Sequence, residues 1–171
     1  MIEQVLNVNF LQKSQEGHLV ESVTLPTAVR QQLENTFGDG KNVDKELKDE
    51  LKDLNLEELI WSYIEVTTEE LLHAGSLRVL EGQIEDRCDD CSELVEFGLL
   101  DDVRYEGWNQ NGTWREKPLF IDGMCLGFTS NLLLVEGATR LGILKGLHKN
   151  PRFQLNEKHK VWYGSKEAQI K

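Results

Sequence analysis

The chain has 171 residues, 39% of them apolar, and a formal net charge of −11. That length suits one domain with its own core, or a domain with a helical attachment. No stretch approaches the ~20 apolar residues that a membrane span needs, and so acidic a chain disfavours direct nucleic-acid binding through a dominant basic face.

The opening, MIEQVLNVNF, lacks the charged and apolar regions of a signal peptide, and three cysteines are an odd number for a disulfide framework. The expectation is a reduced, cytoplasmic setting. Alternation at Leu6, Val8 and Phe10 predicts a strand, and Glu16-Gly17 turns the chain back toward a second cluster at Leu19, Val20 and Val23. Thr24 and Pro26 mark a helix start, with Val29 and Leu33 on one face, and the helix over 28–36 ends at Phe37-Gly38-Asp39-Gly40. Residues 41–54 alternate basic and acidic side chains around Leu47, Leu51 and Leu54, which reads as an exposed helix.

Leu56, Leu59, Ile60, Tyr63 and Ile64 fall at helical spacings, so 56–66 is predicted as a helix. Thr67-Thr68-Glu69-Glu70 supplies a cap for another that runs through Leu80, weakened at Gly75 and carrying a structural or exposed His73. Ile84, Cys88, Cys91, Leu94 and Val95 recur at three and four, placing both cysteines on the inner face of a further helix. Cys88-Asp89-Asp90-Cys91 has the C-x-x-C form. It lacks a second ligand pair for zinc, and its carboxylate neighbours oppose a thiolate, so core cysteines are the better account and no metal is expected. Asn111-Gly112 is a hairpin turn signal between Trp108 and Trp114. The two indoles either flank a short hairpin or form a protein-binding patch. Leu119-Phe120-Ile121 reads as a strand, Cys125 as a small buried residue, Lys160–Gly164 as the last strand, and Ser165–Lys171 as a frayed tail.

The stretch from Leu132 to Leu147, LLLVEGATRLGILKGL, organises the rest. Leu132–Val135 predicts a buried strand, Gly137 a sharp turn, and Leu141, Ile143, Leu144 and Leu147 the inner face of a helix that His148-Lys149-Asn150-Pro151 closes. The start of such a helix favours an anion, and Arg140 in its first turn adds a charge. Val-Glu-Gly-x-x-Arg followed by an apolar helix resembles the signature of the ParB/sulfiredoxin-like superfamily, over roughly residues 117–164. Residues 26–98, read above as mainly helical, are then expected to pack on the small mixed-sheet module that the resemblance implies, giving an α+β fold within one domain spanning 1–171. It also implies that Gly137 is the turn glycine and Arg140 a phosphate-contacting arginine. At the two positions between them, active relatives carry Cys-His, Glu-Arg or a His, whereas this chain has Ala138 and Thr139. Alanine can be neither nucleophile, acid nor base.

Charge is uneven along the chain. Residues 81–106 carry ten acids against two bases, and residues 140–171 carry eight bases against two acids. Two functions follow. The first is a non-catalytic acidic protein-binding protein, such as an immunity protein or antitoxin that neutralises a cationic nuclease toxin. Its partner surface would comprise Glu85, Asp86, Asp89, Asp90, Glu93, Asp101, Asp102, Trp108 and Trp114, and it needs no cofactor. The alternative is a ParB-like nucleotide- or phosphate-binding enzyme, in which Gly137, Thr139 and Arg140 hold a phosphate beside Glu136.

Overall fold

The computed structural model describes residues 11–13, 19–21, 23–37, 56–96, 105–124, 127–151 and 153–166. Strands β1 (Leu11–Lys13) and β2 (Leu19–Glu21) pair antiparallel on either side of Glu16-Gly17. The first of these lies just beyond the Leu6–Phe10 cluster, which falls outside the described residues. Strand β3 (Val23–Thr24) precedes helix α1 (Thr27–Phe37), which Pro26 opens by accepting the amide of Arg30 at 2.9 Å. The exposed helix expected over 41–54 also lies outside the described residues.

Residues 56–66 are not a helix. A single 3-10 turn at Leu56–Glu58 leads into β4 (Ile60–Thr67), which with β8 (Lys158–Ser165) is the longest strand among the described residues. The two pair antiparallel over their full lengths, from Ile60 opposite Ser165 to Thr67 opposite Lys158. Ile60, Trp61, Tyr63, Ile64, Val66 and Thr67 are β-branched or aromatic, a composition that suits a pleated surface better than a helix. Tertiary pairing decided between two periods that the short apolar run satisfied equally. Trp61 is fully buried, and its Nε1 donates to the carbonyl of Leu56 at 3.1 Å.

Thr67 caps α2 (Thr68–Leu72) through a capping box with Glu70, as the sequence indicated. The helix does not continue to Leu80. At Gly75 the chain becomes strand β5 (Gly75–Ser76), parallel to β7 (Leu133–Glu136), and the Gly75 amide donates to Leu132 at 2.9 Å. Helix α3 (Arg78–Glu96) then runs for 19 residues, with Ile84, Cys88 and Cys91 buried. A short helix α4 (Glu106–Asn111) replaces the expected hairpin, and Gly112, at φ 62°, is its left-handed C-cap. A hairpin turn and a helix C-cap both require a positive φ, so Asn-Gly serves either.

Strand β6 (Leu119–Ile121) pairs parallel with β8 and antiparallel with β7, giving a mixed six-stranded sheet in the order β3-β4-β8-β6-β7-β5. The stretch 26–98, expected to be mainly helical, therefore supplies β4 and β5 as well, and the front and back of the chain share one α+β sheet. Helix α5 (Ala138–His148) follows β7 and packs along α3. Two glycines on α5 make that contact close. A Cβ at Gly142 would lie 2.6 Å from Arg87 Cβ, and one at Gly146 would lie 2.5 Å from the Cys88 carbonyl. Phe120, Leu134, Leu141, Leu144 and Leu147 fill the core. Ser165, expected in a frayed tail, is the buried last residue of β8. Among the described residues no helix is long and apolar enough to cross a membrane.

Candidate functional site

The turn between β7 and α5 brings Glu136, Gly137, Thr139 and Arg140 together, as their spacing requires. Gly137 sits at φ 105°, where a side chain is strained, and an added Cβ would fall 2.6 Å from Pro118 Cβ. Ala138 is buried and offers only a methyl group. The Thr139 hydroxyl accepts from the Gln83 amide of α3 at 3.2 Å.

Arg140 is already engaged. One terminal nitrogen of its guanidinium grips both oxygens of Glu136, and the other donates to Glu116 at 3.1 Å. Gln32 of α1 completes the cluster, donating to the Lys117 carbonyl at 2.9 Å and to Glu136 at 3.4 Å. Burial raises the Glu136 carboxyl above the ordinary carboxylate range. Arg140 opposes that shift, and the charge of Glu116 adds to it. One guanidinium thus faces two carboxylates, and its Nε is buried without a hydrogen-bond partner. An incoming phosphate would compete with carboxylates already in place. Gln32 and Glu116 had no sequence signal, since they reach the turn from 104 and 20 positions away from Glu136.

The acidic surface has a different character. On α3, Glu81, Glu85, Asp86, Asp89, Asp90 and Glu93 are all exposed, opposite the buried Ile84, Cys88 and Cys91. Arg87 pairs with Asp90 at 3.1 Å, and Lys149 from the end of α5 pairs with Asp89 at 3.3 Å. Glu85, Asp86 and Glu93 have no ion pair among the described residues. Gly82, Gln83, Asp86, Arg87, Asp89 and Asp90 line an open hollow of about 610 Å³ on this face. Asp101 and Asp102 lie outside the described residues.

Trp108 and Trp114 do not belong to that surface. Both indoles are core residues, edge-to-face at 5.6 Å, and Trp114 Nε1 donates to the Lys160 carbonyl at 2.8 Å. Burial of large apolar rings against the sheet outweighs any anchoring role they would have at an interface. Between them and α2 lies His159, which sequence reasoning missed. Its Nε2 is 3.0 Å from Thr68 Oγ1 and its Nδ1 2.8 Å from Thr113 Oγ1. Thr68 gives its own hydroxyl proton to the Asn156 carbonyl at 2.7 Å, so its oxygen accepts from Nε2–H and Thr113 donates to Nδ1. Burial lowers the His159 pKa from 6.5 to about 4, against a raising contribution from the Asn156 backbone.

Cys88 and Cys91 are free and buried, and burial pushes the Cys91 thiol up to about 12, with Cys88 and Asp90 adding to the shift. His73 is exposed and bonds the Glu69 carbonyl of its own helix at 2.9 Å. Among the described residues no three His, Cys, Asp or Glu side chains converge as metal ligands would. No protein-family model matches the chain, and neither a curated protein nor a solved structure matches it significantly.

Proposed function

We propose that this chain is a non-catalytic, cytoplasmic binding protein that presents the acidic face of α3 to a cationic protein partner. The observation that carries the reading is the set of exposed carboxylates of Glu85, Asp86 and Glu93, which have no ion pair among the described residues, on a helix fixed by the close α3–α5 packing. Carboxylates presented on one exposed helix imitate the phosphates that a nuclease engages, so an immunity or antitoxin role against a nuclease toxin is the specific form of the proposal. The order β6, β7, Gly137, α5, β8 supports reading residues 117–164 as a ParB/sulfiredoxin-like module. Ala138, Thr139 and the paired Arg140 favour a module kept for its architecture rather than its chemistry.

The test is affinity capture with the full chain from its native lysate, followed by a rising salt wash. A basic protein released by salt, and lost when Glu85, Asp86 and Glu93 are reversed to lysine, is the expected result. The nucleotide reading draws on one observation, the unpartnered Nε of Arg140 beside Gly137. It predicts a thermal shift with ATP or CTP that Arg140→Ala removes.

A further inference from the structure

We propose that the face of the sheet formed by β4 and β8 binds single-stranded nucleic acid, through Tyr63 and Trp162 as stacking rings and Lys117, Lys158 and Lys160 as phosphate contacts. This surface is separate from α3 and does not rest on the reading of that helix. Along β8 exposure alternates: Lys158 and Lys160 face outward with the half-buried Trp162, while His159, Val161 and Tyr163 face inward. In the antiparallel register Tyr63 lies opposite Trp162, Glu65 opposite Lys160 and Thr67 opposite Lys158, so these side chains share one side of the sheet.

Two features set this patch apart from an ordinary polar sheet face. Tyr63 is one of the few large exposed hydrophobic residues among those described, at 38%, and its ring lies 5.1 Å from that of Trp162. Both Lys117 and Lys160 converge on it, their Nζ atoms 6.0 Å and 5.6 Å from its centroid. These lysines, and Lys158, have no ion pair among the described residues, whereas Arg87, Arg140 and Lys149 are each paired with a carboxylate. In so acidic a chain, lysines without an ion pair among the described residues, two of them over the exposed Tyr63 ring, form a surface that suits an anion also carrying flat groups.

A nucleotide strand has that chemistry, and an open sheet suits a strand better than a lone nucleotide. Successive bases can stack on rings of neighbouring strands while the backbone tracks the lysines. Glu65 stands within the patch, opposite Lys160, and the exposed Glu116 and Glu157 precede Lys117 and Lys158 in the chain, so carboxylates beside each lysine limit the affinity. Carboxylates more than about 10 Å away are screened at ~0.1 M salt, so the net charge of the chain does not by itself prevent contact.

The experiment is fluorescence anisotropy of the full chain with labelled oligo(dT) and oligo(U) of roughly ten nucleotides. Saturable binding is expected for the single strands and weaker binding for a duplex of equal length. Three lysine contacts predict a log–log salt slope of about −2. Tyr63→Ala should weaken binding about tenfold, the loss of one stacked base. Replacing Lys117 and Lys160 together with glutamine should flatten the slope to roughly −0.7. The absence of single-strand binding at low salt overturns the proposal. So does binding that Tyr63→Ala leaves unchanged, or that duplex and heparin match, since that is attraction to bare charge. Thermal melts of both variants establish that they fold, and the lysine variant tests the site independently of the ring.

Discussion

Gly146 of α5 faces the Cys88 carbonyl of α3 so closely that a Cβ at that glycine would stand 2.5 Å from the oxygen. One turn earlier, Gly142 meets Ile84 and Arg87 in the same way. Two glycines four residues apart therefore set the distance between the helix that carries the acidic face and the helix that follows the central turn. Gly146→Ala should force the helices apart and cost on the order of 1–3 kcal/mol, the usual range for overpacking. Chemical denaturation would measure it. A variant as stable as the parent would mean that the backbones yield easily.

His159 gives the fold a pH dependence whose sign is fixed. The unfolded chain takes up a proton near 6.5 and the folded protein only near 4, so between these values the unfolded state binds more protons. The stability that the neutral imidazole contributes is complete above 6.5 and is lost as the pH falls toward 4. The loss should be on the order of 3 kcal/mol. Urea titrations across that range should show it, and His159→Gln should flatten this part of the profile. Emission from Trp114, whose ring lies 4.9 Å from the imidazole, reports the same event.

Arg140→Ala should leave a largely buried Glu136 without its cation, because within the pair the two side chains are only 18% and 14% exposed. Breaking such a pair by removing one partner destabilises by about 3 kcal/mol or somewhat less, given the residual exposure. Glu136→Gln combined with Arg140→Ala should recover part of the loss, which a double-mutant cycle would quantify. Equal stability of Arg140→Ala and the parent would show that the ion pair is dispensable to the fold.

Cys91 should resist thiol reagents near neutral pH, because the reactive species is the thiolate and burial has pushed the thiol up to about 12. Reaction should become complete only on unfolding, a readout that ordinary alkylation kinetics supplies.

The strand, turn and helix from Leu133 to His148 could be read from the chain because each signal is local. An apolar run, a glycine and a helical period lie within a few residues of one another. The inward Cys88 and Cys91 were legible for the same reason. Residues 60–67 were not, since Leu59, Ile60, Tyr63 and Ile64 fit a helical period and only pairing with β8, about a hundred positions away, selects the strand. His159 escaped notice because Thr68 and Thr113 come from distant segments. The pairing of Arg140 was hidden likewise: the Glu136 contact is local, but Glu116 and Gln32 reach it only through the fold.

The central claim concerns the α3 surface, and one comparison tests it most directly. The parent chain, a Glu85→Lys/Asp86→Lys/Glu93→Lys variant and Arg140→Ala would each be used to capture partners from the native lysate, with melting curves recorded for all three. The account predicts a basic protein held by the parent, retained by folded Arg140→Ala and lost from the equally folded triple variant. Capture that survives the triple reversal, or disappears only with Arg140→Ala, would contradict it and move the site to the Gly137 turn.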